Sequence, residues 1–214
     1  MIIFNGVFRT FRIDRVRAVV YNIPIGGDRM EYDKLLKERN HYIAKQNDLI
    51  QRSRYEMTSQ QQKVLLYFIS KIKPEDKPDQ LYTLTISDIC QVCGFRTDGG
   101  YYFESIKQDL TAIDKVFAWI KTREGGEIRF RWFNVLFIHP GSSAVSLSFH
   151  SSVQPYLFNL HEQYTQYSFV NILGLKSKYA IRLYEFISSV NRERAVVVPL
   201  AEFRERMGIP NEGT

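Results

Sequence analysis

The chain has 214 residues, of which 44% are hydrophobic and 24% are charged, a balance typical of a folded globular protein. Its 15 Phe, 13 Tyr and 2 Trp exclude a disordered chain, which would not bury so many aromatic rings. The formal net charge of +6 fits an anionic partner without establishing one. No apolar run is long enough to span a membrane, and two cysteines are too few for a disulfide framework, so we expect a cytoplasmic protein.

The first 29 residues carry half of the positive charge. Five arginines against Asp14 and Asp28 give this segment a net charge of +3, and its apolar residues follow neither a helical nor a strand period. A helical pattern begins directly afterwards at Met30. One hypothesis is that Met30 is the biological start and that Gly26-Gly27 is a translated ribosome-binding sequence; the alternative is a basic N-terminal arm. We therefore treat residues 1–29 as a doubtful or disordered extension and place a first domain at 30–160.

The central part of the chain predicts a strand between helices. Thr58 and Gln61 form a capping box at the start of a first helix, because the threonine hydroxyl and the glutamine amide can satisfy its first free N–H groups. After a charged loop, residues 81–85 predict a strand. Thr85 then caps a second helix, which ends at Gly94.

A third helix, at about 100–117, is the most regular. Its apolar residues recur at intervals of three and four, which predicts one continuous core stripe: Phe103, Ile106, Leu110, Ile113 and Phe117. Strands follow at 117–122, 127–135 and 144–149, the first two joined by a turn at Gly125-Gly126. Helix, strand, helix, helix, hairpin is the order of a winged helix-turn-helix, an α+β fold whose third helix normally enters the DNA major groove.

The first half of this unit recurs near the end of the chain. Phe68-Ile69-Ser70 matches Phe186-Ile187-Ser188, and Cys93-Gly94 matches Met207-Gly208. Two winged helices in tandem explain the repeat, the second at 175–214 after a linker at 161–174. The match of Cys93-Gly94 with Met207-Gly208 has an offset of 114 residues, and the same offset aligns Thr214 with Gly100. We therefore expect the second winged helix to be truncated before its recognition helix.

Four stretches carry a further signature. They are Gln46-Asn-Asp-Leu-Ile, Leu84-Thr-Ile-Ser-Asp-Ile, Ser148-Phe-His-Ser-Ser-Val-Gln-Pro-Tyr-Leu and, most specifically, Leu175-Lys-Ser-Lys-Tyr-Ala-Ile-Arg-Leu-Tyr-Glu. Over about residues 40–209 the chain resembles the iteron-binding replication initiator (Rep) proteins of theta-replicating plasmids, a family with two winged helices. The resemblance implies binding to origin repeats, origin opening, recruitment of the host initiator and replicative helicase, dimerisation through the first domain and repression of the protein's own gene. It also implies that a second recognition helix makes the principal base contacts.

The winged-helix prediction selects three groups of candidate DNA contacts. On and just before the third helix, polar side chains can reach bases or phosphates: Thr97, Tyr101, Lys107, Gln108, Thr111 and Lys115. Basic residues of the predicted wing can follow phosphates: Lys121, Arg123, Arg129 and Arg131. The first helix of the second unit is expected to cross the DNA backbone with Lys176, Lys178 and Arg182. For each group the alternative is an ordinary solvated surface, and Glu104 on the third helix opposes phosphate binding.

The sequence predicts no catalytic or metal site. Cys90 and Cys93 have metal-ligand spacing, but no second pair accompanies them and the four histidines fall in no zinc-finger spacing, so we interpret both as core residues. The chain lacks a GxxxxGK[ST] phosphate loop, and it lacks a His-x-His pair that would activate a nucleophilic tyrosine. We therefore expect no enzymatic activity, no cofactor and no metal.

The leading hypothesis is a sequence-specific initiator of plasmid replication that binds double-stranded DNA at origin repeats and at its own promoter. One alternative is a truncated initiator that acts as a dimerising interaction protein or autorepressor without opening an origin. Another is a winged-helix transcriptional regulator that binds a promoter but no repeat array.

Overall fold

The computed structural model describes residues 2–5, 29–97, 101–190 and 195–209. The elements up to residue 115 are β1 (Ile2–Asn5), α1 (Arg29–Arg39), β2 (Tyr42–Gln46), α2 (Asn47–Gln51), β3 (Ser53–Arg54), α3 (Ser59–Ile69), β4 (Tyr82–Thr85), α4 (Ile86–Cys93) and α5 (Tyr102–Lys115). They are followed by β5 (Phe117–Lys121), β6 (Glu127–Arg131), β7 (Phe133–Ile138), β8 (Ala144–Phe149), a 3₁₀ turn (Gln154–Tyr156), β9 (Tyr164–Ser168), α6 (Val170–Leu173), α7 (Lys178–Ser189), β10 (Ala195–Val198) and α8 (Leu200–Met207).

The caps predicted for α3 and α4 are present. Thr58 Oγ1 accepts a hydrogen bond from the Gln61 N–H at 3.1 Å, and the Gln61 side chain accepts one from the Thr58 N–H at 3.0 Å. Thr85 Oγ1 accepts a hydrogen bond from the Asp88 N–H at 3.0 Å, and α4 ends at Gly94 with φ 72°. These contacts satisfy the free backbone groups at the helix ends, and α3, α4 and α5 pack against one another as the helices of a winged helix do.

The wing lies in a different hairpin from the predicted one. β4 pairs with β8 and β8 with β7, so the hairpin that closes the winged-helix sheet is β7–β8. β5 and β6 pair with each other, and β5 also pairs with β3, in a separate three-stranded sheet. The prediction that the hairpin around Gly125-Gly126 is the wing was therefore wrong.

The strand predicted at 127–135 is divided at Trp132. Trp132 and Phe133 are adjacent and both buried, with 0% and 2% exposure, whereas successive side chains of a regular strand point to opposite faces. The chain bends at this point, leaves the β5–β6 sheet and enters β7. The predicted third helix also ends early, at Lys115, so that Phe117 opens β5 and is not part of the helical stripe.

The segment predicted as a linker, 161–174, belongs to the first core. β9 pairs antiparallel with β2, and α6 follows it directly. Tyr167, Phe169 and Ile172 are buried in the same cluster as the winged-helix residues. Residues 161–173 therefore belong to the first packed unit and do not form a linker.

The internal repeat is visible in the geometry of α4 and α8. α8 ends at Gly208 with φ 67°, as α4 ends at Gly94 with φ 72°. The Phe95 N–H donates to the Cys90 carbonyl at 2.8 Å, and the Ile209 N–H donates to the Arg204 carbonyl at 2.9 Å. Both helices thus end in the same left-handed glycine cap. The predicted truncation of the second winged helix concerns residues after 209. These lie outside the described residues, so the truncation stays a prediction.

Helix α7 packs in two directions. Ile181 lies in the large first core, whereas Phe186 forms a second, small core with Val198 and Met207. β10, which precedes α8, pairs antiparallel with β1, so residues 2–5 of the predicted extension form a strand. Residues 6–28 lie outside the described residues. In the described part of the chain, no helix is long and apolar enough to cross a membrane.

Candidate nucleic-acid interface

Helix α5 is fixed against the start of α3 by side-chain hydrogen bonds. Gln60 Nε2 donates to Asp109 Oδ2 at 2.7 Å, and Gln61 Nε2 donates to Asp109 Oδ1 at 3.2 Å. Burial of this carboxyl raises the pKa of Asp109, although both amides stabilise its ionised form. The apolar stripe points inward, with Ile106, Leu110 and Ile113 buried. The opposite face of α5 is consequently presented to solvent in a fixed orientation.

The exposed face of α5 carries most of the first predicted group. Gln108, Thr111 and Lys115 are exposed at helical spacings that place them on one side, and Tyr101, directly before the helix, is 85% exposed. The Thr111 hydroxyl donates to the Lys107 carbonyl at 2.9 Å. Within the described residues, the side chains of Gln108 and Lys115 form no hydrogen bond or ion pair, so their N–H donors are free for a ligand. Thr97 is also exposed, in the segment before α5.

Lys107 lies at the flank of α5 nearest the wing. Its ammonium lies 4.4 Å from the centroid of the Phe103 ring, and both residues line a cleft of about 400 Å³ between α5 and the β7–β8 turn. On the wing side, His139 Nε2 lies 2.8 Å from Ser146 Oγ. The other lining residues are Ile138, Pro140, Gly141, Ser142 and Ser143. In this turn Ser142 Oγ accepts a hydrogen bond from the Ala144 N–H at 3.2 Å. A helix beside a wing turn is the arrangement by which winged helices approach DNA.

Sequence reasoning missed this wing turn as a candidate contact. The usable signal was the His139-Pro140-Gly141 turn between two strands, together with the rule that the strand after the first helix of a winged helix pairs with the last strand of its wing. The pairing of β4 with β8 obeys that rule.

The second predicted group lies on the separate β3–β5–β6 sheet. Lys121 pairs with Glu205 of α8 at 2.7 Å, and Arg123 contacts Asp48 at 3.7 Å and the Gln163 side chain. Arg129 and Arg131 are exposed on β6. None of the four residues therefore lies on α5 or on the β7–β8 hairpin, and two of them already contact protein oxygens.

The third predicted group is divided by burial. Lys176 is exposed, and Lys178 pairs with Glu56 at 2.9 Å, which raises the pKa of Lys178. Arg182, by contrast, is only 4% exposed. Its guanidinium donates to the Ser53 carbonyl at 2.8 Å and to the Tyr55 hydroxyl at 2.8 Å. The prediction of Arg182 as a phosphate contact was wrong, because its donors face the protein interior.

The two cysteines are core residues. Cys90 and Cys93 are both buried as free thiols, and burial raises the pKa of Cys90 to about 11. In the part of the chain that the structure describes, no three His, Cys, Asp or Glu side chains are grouped as metal ligands would be.

Residues 42–188 match the protein family described as "Initiator Replication protein, WH1". This chain belongs to that initiator family. The resemblance noted from the sequence is thereby confirmed, as is the mixed α+β winged-helix fold. No curated protein matches the initiator in sequence.

Among solved structures, the initiator is similar to one described as "Pi initiator protein in complex with iteron DNA". The two chains share 12% identity, the match covers 82% of this chain and 77% of that chain, and the TM-score is 0.61. A second match, to domains 2 and 3 of RctB, has 15% identity, coverages of 82% and 73%, and a TM-score of 0.42. At this identity the likeness to the Pi protein establishes the fold alone.

Proposed function

We propose that this initiator binds double-stranded DNA sequence-specifically at the repeats of a plasmid origin and at its own promoter, without enzymatic activity, in the cytoplasm. The observation that carries the proposal is α5, which is held rigidly on its buried side and exposes unpaired polar side chains on the other. The major groove admits one α-helix, and Gln108 has the amide that pairs with adenine. The Pi protein, which shares the fold, is described in complex with iteron DNA.

The remaining candidates take supporting roles in this proposal. Thr111 contacts bases or sugar next to Gln108, while Lys107 at the wing flank of the helix and Lys115 at its C-terminal end contact phosphates. The wing turn, with Ser142 and Ser143, contacts phosphates across the cleft. Tyr101 and Thr97 stand at the N-terminal side of α5, and Lys176 stands at the start of the second unit.

Fluorescence anisotropy tests the proposal. A labelled duplex carrying the direct repeats beside the gene is compared with a shuffled duplex at fixed salt, and we expect at least about tenfold tighter binding to the repeats. A transcriptional regulator binds the promoter but not the repeats. Equal affinity for the repeats and the shuffled duplex contradicts sequence-specific binding.

A second candidate function, dimerisation, is favoured by strand β7. β7 is at the edge of the described β4–β8–β7 sheet and exposes Val135 (42%) and Phe137 (50%). An exposed apolar edge strand is a template for pairing with another chain. We propose that a second copy pairs there, as expected of an initiator, autorepressor or blocking partner that dimerises through this unit.

Sedimentation of wild type and Phe137→Glu tests the dimer. A concentration-dependent dimer in wild type that is absent from the variant supports β7 as the interface, and unchanged sedimentation contradicts it. Origin opening and recruitment of the host initiator and replicative helicase are further parts of the proposed function. Unwinding of the origin repeats, tested by permanganate footprinting with and without those host proteins, examines them directly.

A further inference from the structure

The outer face of the β3–β5–β6 sheet is built from guanidinium groups stacked over aromatic rings. Arg54 lies 5.4 Å from the Trp119 ring centroid, Arg129 lies 3.5 Å from that of Phe117, and Arg131 lies 5.3 Å from that of Phe117. The strand register places these residues opposite one another, with Arg54 and Arg129 on either side of Trp119 and Arg131 beside Phe117. We call these five residues the arginine ladder.

One position of the ladder shows what a stacked guanidinium binds here. Arg54 holds Glu127 through two contacts, Nη1 to Oε1 at 2.5 Å and Nη2 to Oε2 at 3.0 Å. Arg54 Nη1 also lies 3.3 Å from Glu205 of α8, whose other carboxylate oxygen takes Lys121 at 2.7 Å. Stacking leaves the N–H edge of a guanidinium free for the paired oxygens of a carboxylate. This end of the sheet therefore already binds two carboxylates.

Arg129 and Arg131 also lie against an aromatic ring, that of Phe117, but neither guanidinium binds a carboxylate of a described residue. Both are exposed, and neither forms an ion pair with a described residue. At 3.5 Å from the ring centroid, the Arg129 guanidinium carbon is in direct contact with the Phe117 ring. The two arginines are two positions apart on β6, so they project from the same face about 6.6 Å apart along the strand.

The backbone of β6 offers a second recognition element. In the described sheet β6 pairs on one side only, with β5. Its other side presents backbone N–H and carbonyl groups to which an extended peptide can add as a further strand. Nucleic acid has no matching ladder of donors and acceptors, so the free edge of β6 favours a peptide over a phosphate backbone.

We propose that β6, with Arg129 and Arg131, is a docking strand for an acidic, extended segment of a protein partner. The segment pairs with the free edge of β6 and places carboxylates at alternate positions against the two guanidinium edges. The docking strand belongs to the β3–β5–β6 sheet, whereas the DNA contact proposed above uses α5 and the β7–β8 turn, so the two proposals assign binding to different side chains.

Labelled peptides of alternating sequence test the inference. A short peptide that alternates Glu with Thr is titrated into the full chain by anisotropy, and the same peptide with Gln for Glu is the charge control. We expect the acidic peptide to bind wild type and to lose at least about tenfold in affinity for Arg129→Gln/Arg131→Gln, because two charge-assisted hydrogen-bonded pairs are removed. Duplex-DNA affinity of that variant is expected to remain within about twofold of wild type.

A matched variant and a second readout separate the outcomes. Lys115→Ala is expected to weaken duplex binding and to leave peptide affinity unchanged. Amide NMR of the wild-type chain is expected to show the largest peptide-induced shifts at residues 127–131, which checks the site without any substitution. Equal peptide affinity of wild type and the double variant overturns the inference, as does binding of the uncharged peptide with equal strength. Loss of duplex affinity with retained peptide affinity overturns it as well, and assigns the ladder to phosphate.

Discussion

The Lys45 ammonium on β2 lies 2.5 Å from the Glu185 carboxylate on α7, and each of the two side chains is only 1% exposed. Tyr167 on β9 donates a hydrogen bond to the same carboxylate. Burial and this neighbouring carboxylate raise the pKa of Tyr167 well above its ordinary value, so its hydroxyl stays a donor. Three elements are thus joined at one buried charge pair, which fixes α7 on the β2–β9 ribbon.

Removing one member of this pair is expected to be costly. Glu185→Gln leaves the Lys45 ammonium buried without a counter-charge and is expected to destabilise the protein by about 3–5 kcal/mol, as is Lys45→Met. The double variant Lys45→Met/Glu185→Met is expected to recover most of the loss, since no uncompensated charge remains. Urea unfolding measures all three.

The exposed Lys178–Glu56 pair is the control for that prediction. Its side chains are 29% and 83% exposed, so Lys178→Ala is expected to cost less than about 1 kcal/mol. If Glu185→Gln costs no more than Lys178→Ala, burial of the Lys45–Glu185 pair has no energetic consequence and the prediction is wrong.

Acid is expected to weaken the contact of α1 with α3. Glu38 accepts hydrogen bonds from Lys71 and from the Tyr67 hydroxyl. Burial opposes its ionisation, but the hydrogen bond and charge of Lys71 prevail and lower the pKa of Glu38 below its ordinary value of 4.5. The native state therefore binds this proton less readily than the unfolded state, so the stabilisation is present above about pH 4.5 and is lost as pH falls through the folded pKa.

Comparison with Glu38→Gln measures this pH dependence. We expect the variant to be less stable than wild type by about 1–2 kcal/mol at neutral pH, with the difference shrinking below about pH 4.5. Urea unfolding across this pH range gives the difference directly, and Glu75→Gln in the exposed loop is the matched control. A Glu38→Gln deficit that stays constant down to the lowest pH contradicts the assignment.

Alanine at either repeat glycine is expected to carry the same penalty. Gly94 and Gly208 have φ of 72° and 67°, and a Cβ on either meets its nearest atom at 3.6 Å, an ordinary contact. The expected cost of about 1–2 kcal/mol each is therefore backbone strain and not steric clash. Gly174, with φ −75°, is the control and is expected to tolerate alanine without loss.

Chemical unfolding checks Gly94→Ala, and amide hydrogen exchange of α8 checks Gly208→Ala locally. If alanine at one glycine clearly lowers stability and alanine at the other does not, the two helix caps are not equivalent.

Two residues of α5 are expected to affect DNA binding differently. Gln108→Ala is expected to cost about 1–3 kcal/mol on the preferred repeat and to relax specificity, whereas Lys115→Ala weakens all duplexes alike and reduces the salt slope by about 1. Anisotropy over a salt series distinguishes them, with Lys73→Ala in the exposed loop as a control. Identical behaviour of the two variants would assign both residues to phosphate.

Local chemistry was predictable from the sequence. The Thr58 and Thr85 caps and the Gly94 stop depend on residues within a few positions of one another, and the structure has all three. The apolar stripe of α5 was likewise readable from its period. These features require no knowledge of distant partners, which is why they were found.

Long-range features were not predictable from the sequence. Arg182 looks like a surface arginine until Ser53, 129 positions away, accepts its hydrogen bond. The break at Trp132 depends on which of two sheets each flanking segment joins, and a strand pattern does not reveal this. The displaced wing follows from the same uncertainty, because the hairpin with the clearer glycine turn was not the one that pairs with β4.

The two-sided packing of α7 limits where this protein can be recombined with relatives. A junction placed within α7 would combine a first-unit face from one parent with a second-unit face from another, and one of the two cores would be mismatched. Phe186 packs against Val198 and Met207, so only chimeras that keep residues 42–207 from a single parent preserve both Ile181 and Phe186 in their own surroundings. The second unit therefore cannot be exchanged alone, because α7 contributes to its core and to the core of the first unit.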